Sequence, residues 1–397
     1  MPIYGLWTGA TVSTGIALVA LLAAAMFRWR MLIPNEVPDV RVTLILPLTG
    51  YLPNIEILFD ALFRQTLRPV RLIITVESYD DPAYDRVTRL RQGYPQLNFD
   101  VVVAGLSDER AQKCTNLLAA FAVLTDDDNY IVCLDGDIDP QPWWLAALVA
   151  PLARGQADIV NGYRWQLPRA VSLAMVIGAA IDRAIATLPR PGCFRLLWGG
   201  SLAMTRQALE SLNPEAVLSR AMTEDLLFAD RAYDIGLRVM TRRGLRVPTP
   251  LELQLLPLWQ LARRQYQLIR MYRSGPWLFA FSVCTADLLA RLYLIATMII
   301  ADGSGRWIAI HTLLALGILG SLATDVRRRI GLRLGFADRP GFALATHAAV
   351  WSTISIAAFH TSAVWASFLY SPVVWATVQY EVDNKGRVVQ ARRSRHV

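Results

Sequence analysis

"IVCLDGDIDPQPWWL", residues 131–145, decides how this chain is read. Ile131 to Leu134 is a short β-branched and apolar run, the pattern of a buried strand. Asp135, Asp137 and Asp139 follow on alternate residues, and Pro140 and Pro142 stop further pairing. In a twisted α/β sheet, ligands bind at the carboxyl ends of the strands. Side chains at i and i+2 of an extended segment point to one side, so Asp135 and Asp137 can converge on one cation. Hard carboxylate oxygens suit Mg2+ or Mn2+, completed by substrate phosphates. The plain alternative is an acidic turn capping the next helix, and the rest of the chain weighs between the two.

Working outward, residues 41–250 alternate between strand and helix patterns. Val42–Leu46, Val70–Val76, Phe99–Val103 and Tyr130–Leu134 read as strands. Ile55–Phe63, Asp85–Arg91 and Ala111–Leu124 have helical spacing. This alternation argues for an α/β domain with a largely parallel sheet covered by helices.

The chain has 397 residues, of which 54% are hydrophobic and 18% charged, and its mean hydropathy is +0.33. That is too apolar for an ordinary soluble enzyme, so membrane spans are expected. The net charge of +8 is almost all arginine, since Lys113 and Lys385 are the only lysines. Arginine at the edges of spans faces anionic lipid headgroups. No RRM, helix-turn-helix or finger pattern supports a nucleic-acid partner. Cys114, Cys133, Cys193 and Cys284 lack C-x-x-C spacing, which argues against zinc and a disulfide framework.

Leu6–Phe27 is long and apolar enough to anchor the chain in a bilayer, and Arg28 and Arg30 follow at once. Positive charge on the inner side then puts everything after Arg28 in the cytoplasm. The arginine bias hints at a GC-rich bacterial source and so at an inner membrane. The expected layout is an anchor at 6–27, a catalytic domain at 38–258, an interfacial helix at 259–275, about three membrane helices within 277–370 and a basic tail at 371–397. The apolar stretch 170–188, broken by Asp182 and Arg183, reads as interfacial or re-entrant. Asp287 and Arg291, four apart within the stretch 277–301, are placed to pair. Arg327, Arg328, Arg329, Arg333 and Arg339 suit a cytoplasmic loop before the last stretch, 342–369. Three spans would leave the tail outside, whereas Arg392, Arg393 and Arg395 favour the inside.

Three further clusters accompany the opening one. "VESYDDPAYD" (76–85) places Glu77, Asp80 and Asp81 just past a strand, and "MTEDLLFADRAYDIGLRV" (222–239) places Glu224 and Asp225 at the start of a helix. There the two acids can simply complement the helix dipole. "LARRQYQLIRMYRSG" (261–275) is an arginine- and aromatic-rich amphipathic segment, of a kind that snorkels at a lipid interface. Taken in order with "PLTG" (47–50), "DDPA" (80–83), "KCTNL" (113–117), "DGD" (135–137), "WGGSLAMTRQAL" (198–209), "TED" (223–225) and "QLIRM" (267–271), these clusters resemble the family 2 glycosyltransferases. They are most similar to the ceramide glucosyltransferase branch, over residues 38–275 and in the flanking membrane layout.

The resemblance implies a GT-A fold in which a Rossmann-like nucleotide-binding half merges with an acceptor-binding half. It also implies inverting transfer of a hexose from a UDP-sugar, UDP-glucose first, to the hydroxyl of a membrane lipid such as ceramide. A hopanoid, diacylglycerol or polyprenyl phosphate acceptor, or a processive polysaccharide synthase, is the alternative. A non-catalytic membrane scaffold that kept the shell is a further one. Asp225 matches the family's catalytic base. Asp137, helped by Asp135, would hold the divalent metal against the diphosphate, with Asp135 also facing donor hydroxyls. Lys113, Gln267 and Arg270 would contact the donor, Arg270 with a fork suited to phosphate. Trp198, Gly199, Gly200, Glu224 and Met271 would line the acceptor side. Two positions depart from the family. Ser78 stands where an aspartate usually grips uracil, leaving that role to Glu77 or Asp80. Met271 stands where the family has tryptophan.

Overall fold

The computed structural model describes residues 3–369, 372–376 and 378–393. From the N-terminus the chain forms α1 (Ile3–Arg30), β1 (Thr43–Pro47), α2 (Ile55–Phe63), β2 (Arg71–Val76), α3 (Pro82–Gly93) and β3 (Phe99–Val103). Next come α4 (Gln112–Ala122), β4 (Tyr130–Leu134), α5 (Trp144–Ala153), β5 (Ile159–Pro168) and α6 (Leu173–Thr187). They are followed by β6 (Ser201–Thr205), α7 (Arg206–Leu212), α8 (Pro214–Val217), α9 (Glu224–Asp234), β7 (Val239–Leu251) and α10 (Leu255–Tyr272). The chain continues through α11 (Ser274–Ile300), α12 (Ser304–Arg333), α13 (Phe342–Trp351) and α14 (Ser355–Ala366), then β8 (Val373–Trp375), β9 (Val378–Val382) and β10 (Val388–Arg393). These divide into two compact units. A sheet unit holds Leu32–Arg164, Pro191–Thr249 and Ser371–Val397; a helical unit holds Met1–Met31, Trp165–Arg190 and Pro250–Tyr370.

In the sheet unit the strand order is β3-β2-β1-β4-β6-β5-β7. β3, β2, β1 and β4 run parallel, whereas β6 pairs antiparallel with both β4 and β5. The inner strands are continuous apolar runs because both of their faces are covered, as parallel strands require. Ile45 sits beside both Ile73 and Cys133 in register. The residues just past β1, β2 and β4 therefore emerge along one edge of the sheet. The Asn116 side chain, fully buried on α4, donates to the carbonyls of Leu48 and Thr75 at 2.9 and 3.4 Å. It ties the helix to that edge. Trp144 at the head of α5 is buried and donates its indole N–H to Ser201 Oγ at 2.9 Å, locking the helix to β6.

Of residues 371–397, expected as a basic tail, the described ones supply a three-stranded antiparallel sheet to the same unit, in the order β10-β9-β8. The backbone N–H of Val388 donates to the Arg220 carbonyl at 2.9 Å. Tyr380, fully buried, accepts from the backbone N–H of Gln112 at 3.0 Å. Residues 165–190, expected inside the catalytic domain, fall in the helical unit.

In the helical unit α1, α11 and α12 are apolar and long enough to cross a membrane. Leu6 and Ala10 of α1 pack with Leu294, Ala309 and Leu316. On α6, Ala174, Met175, Val176 and Ala179 pack with Leu251, Leu258 and Phe342. Its Arg183 makes a two-pronged bond to Asp338, at 3.2 and 2.7 Å.

Two expectations change here. The stretch 342–369 is not one continuous helix: α13 and α14 are bent by 78°. The break at residues 352–354 contains neither Gly nor Pro. Arg291 explains it: its Nη1 donates to the Thr353 carbonyl at 2.9 Å while its Nε pairs with Asp287 Oδ2 at 2.9 Å. Thr353 itself adopts φ +59°. The expected Asp287–Arg291 pair thus forms and holds the bend. Of the arginines expected in a loop, Arg327, Arg328, Arg329 and Arg333 lie in the last turns of α12, and Arg339 lies in the connection that follows.

Candidate active site

Three elements of the sheet unit deliver charge to one place. β4 ends at Leu134 and presents Asp135, α4 begins at Gln112 and presents Lys113, and α9 begins at Glu224. Lys113 Nζ donates to Asp135 Oδ1 at 2.7 Å and to Glu224 Oε1 at 2.6 Å. Glu224 is 5% exposed, and a carboxylate so buried needs a charged partner. Desolvation alone would depress the Lys113 ammonium, but Asp135 and Glu224 outweigh it and hold the group well above its ordinary value. Burial pushes Glu224 up, with Lys113 pulling against it.

Asp225 follows in the first turn of α9. Its Oδ1 accepts from the Thr223 hydroxyl at 2.6 Å and from the backbone N–H of Leu226 at 2.7 Å. Its Oδ2 takes only a long bond, 3.4 Å, from the N–H of Gly199. The positive end of the helix dipole favours both acids here.

The glycine pair before β6 makes this crowding feasible. A Cβ at position 199 would lie 1.9 Å from Glu224 Oε1 and 3.1 Å from Lys113 Nζ; one at 200 would lie 2.5 Å from Asp135 Oδ2. Only glycine lets backbone run this close to the carboxylates. Gly199→Ala is expected to cut sugar transfer about 100-fold, the scale of an ångström's misplacement, with secondary structure kept. Transfer rate and circular dichroism of the purified variant check this. Trp198 is fixed from below: its backbone N–H donates to Asn161 Oδ1 at 3.1 Å, and its ring meets Tyr163 edge-on at 6.0 Å.

Asp137 keeps an edge open to solvent. The protein mass around it, and then the negative charge of Asp135, push its carboxyl up to about 6. Two carboxylates crowded by like charge suit a bound cation, which would relieve the repulsion. Among the described residues no three His, Cys, Asp or Glu side chains group around a metal position. Asp135 and Asp137 therefore fit a Mg2+ or Mn2+ ion that draws its other ligands from phosphate and water, with Asp135 Oδ1 already bonded to Lys113.

Of the residues singled out in the sequence, Lys113, Asp135, Asp137, Trp198, Gly199, Gly200, Glu224 and Asp225 come together in this unit. Glu77, buried just past β2, is bonded to Arg393 of β10. Asp80 is exposed, and its neighbour Asp81 does the local work, accepting from the N–H groups of Gly50 and Ala83 at 2.8 Å each. Gln267, Arg270 and Met271 lie on α10, in the helical unit. There Arg270 donates to the Phe368 carbonyl at 3.2 Å and lies over that residue's ring.

Three residues of the site were not singled out. Asn161 and Arg164 belong to "VNGYRW" (160–165), where polar residues interrupt a strand and are the visible signal. The Arg164 charge pulls Asp137 back down. Arg393 stands 316 residues from Glu77, and no local pattern points to it.

The sequence pattern of glycosyl transferase family 21 matches residues 5–388. The chain belongs to this family. The family 21 protein is a glycosyltransferase, and its seven-stranded sheet, parallel on one side with an antiparallel pair beside β4, is a GT-A sheet. Solved structures similar to the family 21 chain include a mannosyltransferase from Pyrobaculum calidifontis in complex with GDP-Man and Mn2+. It shows 16% identity and a TM-score of 0.43, over 91% of this chain and 99% of that one. Another is glucosyl-3-phosphoglycerate synthase from Mycobacterium tuberculosis with Mn2+, UDP and glucosyl-3-phosphoglycerate. It shows 18% identity and a TM-score of 0.37, over 58% of this chain and 79% of that one.

Proposed function

We propose that this protein is a multi-pass, inverting, metal-dependent hexosyltransferase that moves sugar from a UDP-hexose, UDP-glucose first, to the hydroxyl of a membrane lipid such as ceramide. The observation that carries the reading is the Lys113–Asp135–Glu224 lock with Asp225 beside it, in a chain of family 21. Single-displacement inversion needs a base on the face opposite the leaving group, and Asp225 Oδ2, which takes only the 3.4 Å bond from Gly199, is open to accept the acceptor's proton. Two of the three Lys113 N–H donors are used, which leaves one for a donor phosphate. A divalent cation held by Asp137 and Asp135 would offset the charge that grows on the departing diphosphate. A lipid acceptor is supported by the three long apolar helices and by a cavity of about 250 Å3 inside the helical unit, where Ala17, Ala180 and Ile356 share the walls with Asp287, Arg291 and Arg327.

Orientation follows the same reading. Arg28 and Arg30 put the sheet unit in the cytoplasm. The C-terminal strands belong to that unit, so the bent pair α13–α14 is re-entrant and only α11 and α12 cross after α10. This removes the conflict between span count and tail charge. The test is to incubate purified protein in lipid with labelled UDP-glucose, UDP-galactose, UDP-glucuronate and UDP-N-acetylglucosamine in turn, then resolve the lipid extract. One sugar on one lipid supports the reading. A ladder of products, or label confined to free sugar, overturns it.

A further inference from the structure

The cavity of about 250 Å3 in the helical unit is apolar along its length and basic at one end. Leu316, Gly320, Ala323, Thr324, Arg327 and Arg328 line it from α12, at the three- and four-residue steps that make one helix face. From Leu316 to Arg328 that face runs about 18 Å, at about 1.5 Å per residue. Ala17 and Ala20 of α1, Ala180 and Ala184 of α6 and Ala343 of α13 also line it. Small residues between membrane helices ordinarily bring the backbones together; here they leave space.

The charges on the walls do not balance, because four arginines face two aspartates. Arg183 is bound to Asp338 and Arg291 to Asp287, which leaves Arg327 and Arg328. Among the described residues neither has a carboxylate partner, and their one hydrogen bond, from Arg327 Nε to Thr187 Oγ1, is long at 3.4 Å. Cationic side chains within membrane segments are costly and are found paired or facing a ligand path. The basic end also has a definite side. Arg28 and Trp29 of α1 line a second hollow together with Val326 and Arg333 of α12, so the two helices end side by side.

We propose that this cavity takes an anionic phospholipid, whose phosphate is held by Arg327 and Arg328 and one of whose acyl chains follows the apolar face toward Leu316. The proposal deepens the lipid reading given above and rests on its orientation only for the leaflet, the cytoplasmic one, where basic pockets between helices bind anionic headgroups. Whichever lipid receives the sugar, the one retained here carries a phosphate. Guanidinium forks bond phosphate oxygens in pairs. A zwitterionic head offers the same phosphate but brings its own cation beside two arginines, and an uncharged lipid offers nothing to offset them.

The experiment equilibrates full-length protein in detergent with phosphatidylglycerol and phosphatidylcholine of identical chains, and reads retained lipid by native mass spectrometry. Inorganic phosphate supplies the head without the chains. Wild type is expected to retain phosphatidylglycerol over phosphatidylcholine by about tenfold, the scale of one hydrogen bond to a charged group. Arg327→Gln combined with Arg328→Gln should abolish that preference. Arg329→Gln, next along α12 and outside the cavity walls, should keep it. Ala20→Phe fills the space and leaves both arginines, and it too should lose the lipid; it serves as the reporter should the double variant not fold. Equal retention of the two lipids by wild type, or the same loss in Arg329→Gln, would reduce the effect to surface charge and overturn the proposal. Lipid kept by Ala20→Phe, or displaced by inorganic phosphate, would overturn it as well. No sugar nucleotide enters the titration, so this proposal and the transfer reaction fail separately.

Discussion

Asp225→Asn is expected to lower transfer by about 10³-fold, within the range that general-base catalysis contributes, while UDP affinity stays within about twofold. The structure explains why the fold should tolerate it. The anchoring oxygen, Oδ1, accepts from Thr223 and Leu226, and an asparagine keeps that oxygen and its place at the head of α9. The change falls on Oδ2, which becomes an amide nitrogen that donates and cannot take a proton. Its one contact, the 3.4 Å bond from Gly199, is already weak by geometry. Single-turnover transfer, alongside calorimetric titration with UDP, separates the two effects. Loss of UDP binding together with transfer would show that Asp225 belongs to the donor site and is not the base.

The second large effect is on stability. Lys113→Met strips the partner from a buried carboxylate, and breaking such a pair costs about 3–5 kcal/mol. For a domain of this size that corresponds to a fall in Tm of roughly 6–20 °C. Glu224 bears most of it, being sealed beneath Gly199, whereas Asp135 keeps some access to solvent. Lys113→Met with Glu224→Gln should recover most of the loss, since no uncompensated charge remains in the interior, and it should not recover transfer. Differential scanning fluorimetry of the single and double variants measures this. A single variant as stable as wild type would mean that the lock is an exposed ion pair, worth little.

How much of this was legible depends on the range of the interaction responsible. The four parallel strands were, because continuous apolar runs ended by polar residues are a local signal, and Asp135, Lys113 and the Glu224–Asp225 pair stand at element ends where site residues gather. The lock itself was not: each of its members has an ordinary local role, and the contact exists only after β4, α4 and α9 are assembled. The break between α13 and α14 was invisible because nothing in "VWSTIS" (350–355) interrupts a helix. The interruption comes from Arg291, some sixty residues earlier in sequence. Residues 327–333 looked like a loop because charge was weighed above helical continuity, although long arginine stems reach water from a helix end. The C-terminal sheet left a signal. Val378–Val382 alternates in burial and is followed by Asp383-Asn384-Lys385-Gly386, a turn sequence, but the arginines around it read as a solvated tail.

The scarcity of lysine gives the folded protein an unusual reporter. Besides the α-amino group, an acylating reagent has only two amines to choose from: Lys385 on an exposed turn and Lys113 inside the lock, one fifth exposed. Lys385 calibrates the reagent, and the fraction of Lys113 left unmodified, read by peptide mass spectrometry, becomes a footprint of occupancy. Ligands could then be screened on detergent-solubilised material before any product has been identified.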